Sequence, residues 1–312
     1  MAQLRTLIEK GNWYKGNTHL HTTMSDGKLE PKDSVAVYRD HGYDWLAVTD
    51  HGVWGIHDDL QSDNFIVFPG TEFGTTLPEE RGFCHHVVFM AKPGDTPFKH
   101  GEMVQDHCKD MDMQGMIDYM TARGCIAIYC HPRWSLVEME EYKSIKGCTA
   151  MEIYNHTAET ACGNGDGVSY FDHSLWQGDK MLAVACDDAH YRSGYMGGWI
   201  VVKAKALTHD DIMASIKAGS FYASNGGPEI KDFYIEDGVA HIECAPAARV
   251  ALYGDGMLGA AWYASDREDK SPITHQTWNP ADAWLPRKVN CLYAMVTGDD
   301  GNVSWTNPVW MD

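Results

Sequence analysis

The side chains able to do chemistry in this chain gather at the ends of short apolar runs. NTHLH (17–21) carries His19 and His21, YDWLAVTDH (43–51) closes on Asp50 and His51, and FIVFPGTE (65–72) closes on Glu72. HHVVFMA (85–91) opens on His85 and His86, CIAIYCHP (125–132) carries His131, and TAMEIYNH (149–156) ends on Asn155 and His156. MLAVACDDAH (181–190) finishes on Asp187, Asp188 and His190. Imidazoles and carboxylates without thiolate pairs form a ligand set for divalent cations such as Zn, Mn or Fe. A lone histidine at such a place is more often a hydrogen-bonded structural residue. Recurrence at nearly every run end reverses that balance. HxH and DxH are weak patterns singly, whereas HLH, TDH, GTE, CHP and DAH in this order are specific. No GxSxG or other nucleophile elbow competes with them. The chemistry indicated is activation of water by bound metal.

Elements of a particular kind must position such residues. The runs are rich in Val, Ile, Tyr and Ala and lack strict alternation, as strands buried on both faces do. On a strand, positions x and x+2 point to one side, so His19 and His21 would share a direction. In parallel α/β sheets the C-terminal strand ends converge on one rim, where active sites lie. Helices are expected between the runs: from Pro31 through KDSVAVYRDHG to Gly42, over 103–124, and over DDIMASIKAG to Gly219. Repeated strand–helix alternation implies an α/β fold with a mostly parallel sheet. After Pro228 the pattern changes to short alternating strands joined by Asp-Gly and Gly-Asn turns. The expected division is a catalytic domain over 1–227 and a small antiparallel, β-sandwich-like domain over 228–312. The tryptophans of the second part (262, 278, 284, 305 and 310) are expected to pack back on the first, with another subunit as the alternative.

Composition narrows the partners. A net charge of −19 repels nucleic acid and anionic membranes, which are bound through clustered Lys and Arg, so neither is expected as a partner. The nine cysteines are an odd, scattered set with no CxxC, which reads as reduced, buried thiols and a cytoplasmic location. The N-terminus lacks a signal-peptide core, and no run approaches the roughly 18 apolar residues of a membrane span. Oligomeric state is open.

THLHTTMSDG, VTDHG, GTE, HHVVF, CHP and DAH together resemble the motifs of the PHP (polymerase and histidinol phosphatase) superfamily, over residues 17–226. The stretch GGWIVVKAKALTHDDIMASIKAGSFYASNGGPEI is similar to its carbaryl-hydrolase-like branch. The resemblance implies a distorted (β/α)7 barrel holding two or three divalent metal ions. Carried over by position, it implies one ion held by His19, His21, Glu72 and Asp188. A second would be held by Glu72, His86 and His131, and a third by Asp26, His51 and His190. His86 is preferred to His85 because it directly precedes VVF, and Asp188 to Asp187 because of the DxH spacing.

The leading expectation is a phosphoesterase acting on small-molecule phosphate esters. The alternatives are a carbamate, ester or amide hydrolase with the same metal site, and a PHP module that keeps its metals without turnover. His190 or His51 would relay the leaving-group proton where the third ion is absent. A phosphate needs a cationic clamp, for which Arg133, Arg192 and Arg81 are candidates. His156, Trp134, Trp54 and Tyr195 are candidates to line the pocket.

Overall fold

The computed structural model describes residues 3–76, 84–108, 111–256, 258–283 and 288–311. Strands β1 (Leu4–Arg5) and β2 (Asn12–Asn17) open the chain. Next come β3 (Trp45–Val48), β4 (Ile66–Thr76), β5 (Cys84–Met90), β6 (Ile126–Tyr129) and β7 (Ala150–Asn155). β8 (Leu182–Cys186), β9 (Trp199–Ala204) and β10 (Phe221–Ser224) follow. The C-terminal part holds β11 (Ile230–Glu236), β12 (Val239–Ala247), β13 (Arg249–Gly254) and β14 (Gly259–Tyr263). It ends with β15 (Ile273–Trp278), β16 (Cys291–Thr297), β17 (Val303–Thr306) and β18 (Val309–Trp310).

The fold is mixed α/β, with one large mixed sheet in the order β14-β13-β16-β17-β10-β9-β2-β3-β4-β5-β6-β7-β8 and β18 attached to β16. The expected mostly parallel sheet is corrected. β2-β3-β4 and β6-β7-β8 are parallel, but β5 runs antiparallel to both neighbours, and β9 runs antiparallel to β2. The reason for β5 is chain length. Only residues 77–83 separate β4 from β5, whereas a parallel crossover needs about a dozen or more. Regular strand–helix alternation is therefore interrupted. Beyond the strand ends, Leu20 and Ala189 form a parallel bridge that joins the chain after β2 to the chain after β8.

β3, β6 and β8 are buried at every position, as their unbroken apolar runs require. Trp45 on β3 has no exposed surface and lies where a Cβ on Gly16 would stand, so β2 can pass it only as glycine. The helix Pro31–Asp40 starts on its proline as expected. The single helix expected over 103–124 is instead two, Val104–His107 and Met113–Thr121. Asp112 starts the second by accepting the Gly115 N–H at 2.8 Å, an N-cap that a continuous helix could not use. No described helix is long and apolar enough to cross a membrane.

The boundary expected at 227/228 falls between β10 and β11. β11, β12 and β15 form a separate sheet with β1, and a core around Phe233, Ile242 and Leu252 packs beneath it. β10 nevertheless pairs with β17, so the large sheet runs through both parts. Trp305 joins the larger core, as expected, while Trp278 belongs to the smaller one. Trp284 lies outside the described residues.

Candidate metal centre

The segment after β2 carries His19 and His21 into the interior, both fully buried, with their Nε2 atoms 3.0 Å apart. The strand proper stops at Asn17, and backbone bonds to the chain after β8 keep the segment extended: Asp188 N–H to His19 O at 3.0 Å and His21 N–H to Ala189 O at 3.2 Å. Asp188 Oδ1 is thereby set 3.3 Å from His19 Nε2 and 3.0 Å from His21 Nε2. Glu72, inside β4, places Oε2 3.3 Å from His19 Nε2, 3.2 Å from His21 Nε2 and 2.9 Å from His51 Nδ1. Its Oε1 lies 3.1 Å from His131 Nε2.

Among the described residues four groups have ligand atoms close enough for one ion each: His19, His21 and Asp188; Glu72, His86 and His131; His21, Asp26, His51 and His190; and His19, Cys130 and Glu152. The nine expected ligands are thus brought together, with Glu72 between groups. His85 turns instead to Tyr129, its Nδ1 2.5 Å from the phenol oxygen, because neighbours on a strand face opposite sides. Asp187 is also turned away. It is fully buried and accepts the Tyr38 hydroxyl at 2.8 Å and the N–H groups of Met196, Gly197 and Gly198 at 2.8–2.9 Å. It fastens the loop before β9. Asp50 does the same for the loop that presents Asp26, accepting from Thr22 N–H at 2.7 Å and from Ser25 Oγ at 2.7 Å.

Two of the expected ligands stand on strained backbone: His131 at φ 25° and Asp188 at φ 52°. Left-handed conformations at non-glycine residues cost of order 1–3 kcal/mol and persist where the surroundings hold them. Ser135 holds His131, its Oγ 2.9 Å from His131 Nδ1 and its N–H on His131 O at 3.0 Å.

The donor set fits a divalent cation. Glu72 Oε2 and Asp188 Oδ1 are buried and receive no hydrogen bond, and His21 Nδ1 is likewise orphaned. A buried acceptor left so costs roughly 1–3 kcal/mol, more when charged, unless a cation faces it. Without metal, protons supply the missing charge. Burial pulls the His21 imidazole down, but Asp188 and Glu72 outweigh it and raise it to about 9. Burial likewise opposes, and Asp188, Glu152 and Glu72 overcome, to hold His19 well above the ordinary histidine range. His131 is raised chiefly by Glu72, again against burial. Burial dominates at His86, lowered to about 4, so that ring is neutral. Burial would raise Glu72, yet the surrounding imidazoles hold it well below the carboxylate range.

A cavity of about 260 Å³ opens over the centre. All the expected ligands line it except His19 and His21, which lie beneath. Its walls are Trp134, Thr157, Ala158, Ala161 and Tyr191. Trp134 packs edge-on against His131 at 4.9 Å between ring centres. Arg133 and Arg192 are exposed and are not among the lining residues, and neither is His156. His156 covers Gly197 and meets Tyr154 Oη at 3.0 Å. Trp54 is buried against Phe98, and half-buried Tyr195 packs against Tyr38. Arg81 lies outside the described residues.

Two polar residues with no expected role complete the centre. Glu152, 1% exposed, lies mid-strand on β7 with Oε1 2.7 Å from His19 Nδ1. Asn155, fully buried, donates to Asp188 Oδ2 at 3.0 Å. The signal for Glu152 was present in AMEIYN: an acid inside an apolar run buried on both faces must meet a buried partner.

No family model and no curated protein matches the chain. Solved structures similar to it include a two-domain protein from Bacteroides vulgatus containing a predicted PHP-like metal-dependent phosphoesterase. That match has 13% identity and a TM-score of 0.47, covering 99% of this chain and 100% of the other. PsfC from Pseudomonas syringae matches at 13% identity and TM-score 0.43, over 65% of this chain and 87% of its own. An amidohydrolase from Chromobacterium violaceum matches at 12% identity and TM-score 0.42, over 66% and 96%. The carbaryl-hydrolase-like branch is not represented among these three.

Proposed function

We propose that this chain is a metal-dependent hydrolase of small molecules, with the nine residues His19, His21, Asp26, His51, Glu72, His86, His131, Asp188 and His190 as metal ligands. The observation that carries the reading is the convergence of imidazole nitrogens on two buried, unsatisfied carboxylate oxygens at the floor of an open cavity. Divalent ions bound there would supply Lewis acidity and a water-derived nucleophile at neutral pH. The protein's own part is positional. Buried Glu72 holds two ligand groups in register, and the cavity admits a substrate over them. His51 and His190 stand on its lining, and where the third ion is absent either would relay the leaving-group proton. The Leu20–Ala189 bridge supports reading β2–β8 as a distorted seven-stranded ring. The 1–227 and 228–312 division remains our working one, supported by the separate core of the second part.

A phosphate ester is the first bond to test, with Arg133 and Arg192 retained as candidate clamps that would have to swing inward. A specific observation favours the second reading, an ester, carbamate or amide. Among the described residues no Lys or Arg lines the cavity, and its walls are aromatic and methyl-bearing. The test is chelated and Zn-, Mn- or Fe-reloaded protein against p-nitrophenyl phosphate, its diester and a naphthyl carbamate. Phosphate-ester turnover restored by metal supports the first reading, and carbamate turnover alone supports the second. Metal binding with no turnover on any substrate would leave a non-catalytic module and sink the hydrolase reading.

A further inference from the structure

The buried carboxylate of Glu152 does not line the cavity over the centre and belongs to none of the three ligand groups that hold the nine candidate ligands, yet it contacts three parts of the centre at once. Oε1 lies 2.7 Å from His19 Nδ1. Oε2 accepts the His131 backbone N–H at 2.9 Å and Asn155 Nδ2 at 2.9 Å. Asn155 Nδ2 also donates to Asp188 Oδ2 at 3.0 Å, and its Oδ1 accepts the Ala158 N–H at 2.9 Å. Ala158 forms part of the cavity wall. His19 is fully buried, so its Nδ1 has no water to turn to.

We propose that Glu152 is the positioning residue of the metal centre. It fixes His19 as the Nδ1–H tautomer and so aims the Nε2 lone pair at the ion. Through its second oxygen it pins the strained His131 backbone and, by way of Asn155, the Asp188 carboxylate. This rests on the metal-centre reading above. The physical logic is general. A histidine ligand that donates its other N–H to a carboxylate is oriented, tautomerically defined and more basic at the coordinating nitrogen, and loss of such a partner lowers metal affinity about 10–100-fold. Cys130 Sγ also lies near His19 and Glu152, close enough for the three to be weighed as a separate metal group. That alternative requires His19 Nδ1 to give up its proton while Nε2 serves another ion. One ring then bridges two cations as an imidazolate, and Glu152 loses the hydrogen bond it now has. The three contacts of the Glu152 carboxylate are satisfied without that step.

The experiment is a titration of chelator-stripped wild type, Glu152→Gln and Asn155→Ala with Zn²⁺ in competition with a chromophoric chelator, paired with ¹⁵N-histidine NMR of the loaded proteins. The glutamine variant is expected to keep the wild-type ion stoichiometry while binding about 10–100-fold more weakly. Wild type should show a hydrogen-bonded His19 Nδ1–H resonance that shifts or disappears in Glu152→Gln and survives in Asn155→Ala. A mere packing role would not move that resonance. Unchanged affinity in Glu152→Gln overturns the proposal, as does loss of one whole ion with the others unaffected, which would make Glu152 itself a ligand. Should Glu152→Gln fail to fold, wild-type NMR still decides: His19 protonated on Nε2 in the loaded protein refutes the assignment. No Zn²⁺ binding by wild type would sink the metal centre itself, an outcome distinct from unchanged binding by the variant.

Discussion

Loading the centre with metal should expel protons, and the structure says from where. In the metal-free protein the His21 imidazole is raised to about 9, against the pull of burial, by its contacts with Asp188 and Glu72. At pH 7.5 it therefore carries a proton, and His19 and His131 are raised in the same direction. A nitrogen that ligates metal must be neutral. Loading at pH 7.5 should release about one proton from His21, with a further contribution from His19, which is held well above the ordinary histidine range. The same protons stabilise the metal-free fold. A histidine raised above its unfolded value gives stability that is fully present below about pH 6.5 and is lost as pH rises through its folded value, about 9 for His21. At about 1.4 kcal/mol per pH unit the His21 contribution is roughly 3 kcal/mol. A change of that size moves the Tm of a domain of 150–250 residues by roughly 6–12 °C. Chelated protein should thus lose Tm between pH 6.5 and 9.5, whereas metal-loaded protein, with these rings neutral throughout, should lack that slope. Thermal scans of both forms across this range, with an indicator dye in weak buffer during loading, measure both quantities. Absence of proton release at pH 7.5, or parallel Tm profiles for the two forms, would refute the reasoning.

Three further outcomes follow from the same geometry. Glu72→Gln removes the charge shared between ligand groups, so elemental analysis after dialysis against micromolar metal should show loss at two groups together, with affinity reduced at least about tenfold. Asp187→Ala orphans the Tyr38 hydroxyl and three loop N–H groups, and urea unfolding of chelated protein should show roughly 3–5 kcal/mol of destabilisation, with metal stoichiometry unchanged in the protein that remains folded. Arg133→Ala and Arg192→Ala, if their side chains stay outside the cavity, should change kcat/KM less than about twofold on whichever test substrate is turned over, a loss of under about 0.5 kcal/mol. A loss of tenfold or more confined to phosphate substrates would instead show the arginines reaching in.

Most of the candidate ligands were legible because they stand at the ends of apolar runs, whereas Asp26 came only with the family resemblance, and Glu72 lies inside β4 rather than at its end. Burial of such a run leaves its polar terminus only the rim to occupy. His19, His131 and Asp188 show this, with pair spacing deciding His19 with His21 and Asp188 with His190. Strand direction was not legible in the same way. β5 has the composition of its parallel neighbours, and only the short 77–83 connection hints that it turns back. The choice between adjacent residues depended on which face a side chain meets, so His86 over His85 could be reasoned from alternation, whereas the capture of Asp187 by Tyr38 and the 196–198 loop depends on contacts far along the chain. Arg133 shows where adjacency misleads. It follows His131 and Pro132, but the chain turns there: Ser135 N–H closes on His131 O, Trp134 faces the cavity, and Arg133 faces solvent. Glu152 shows the opposite error. It lies in the middle of a strand rather than at its end, so a search of strand ends passes it by. A buried carboxylate must nevertheless find a partner wherever it sits, and here the nearest cationic groups are the imidazoles of the centre itself. The same rule that sends polar residues to the rim thus places one behind it. The charge of Glu152 is then part of the centre's electrostatics, and any ion count or pH profile of this protein includes its effect.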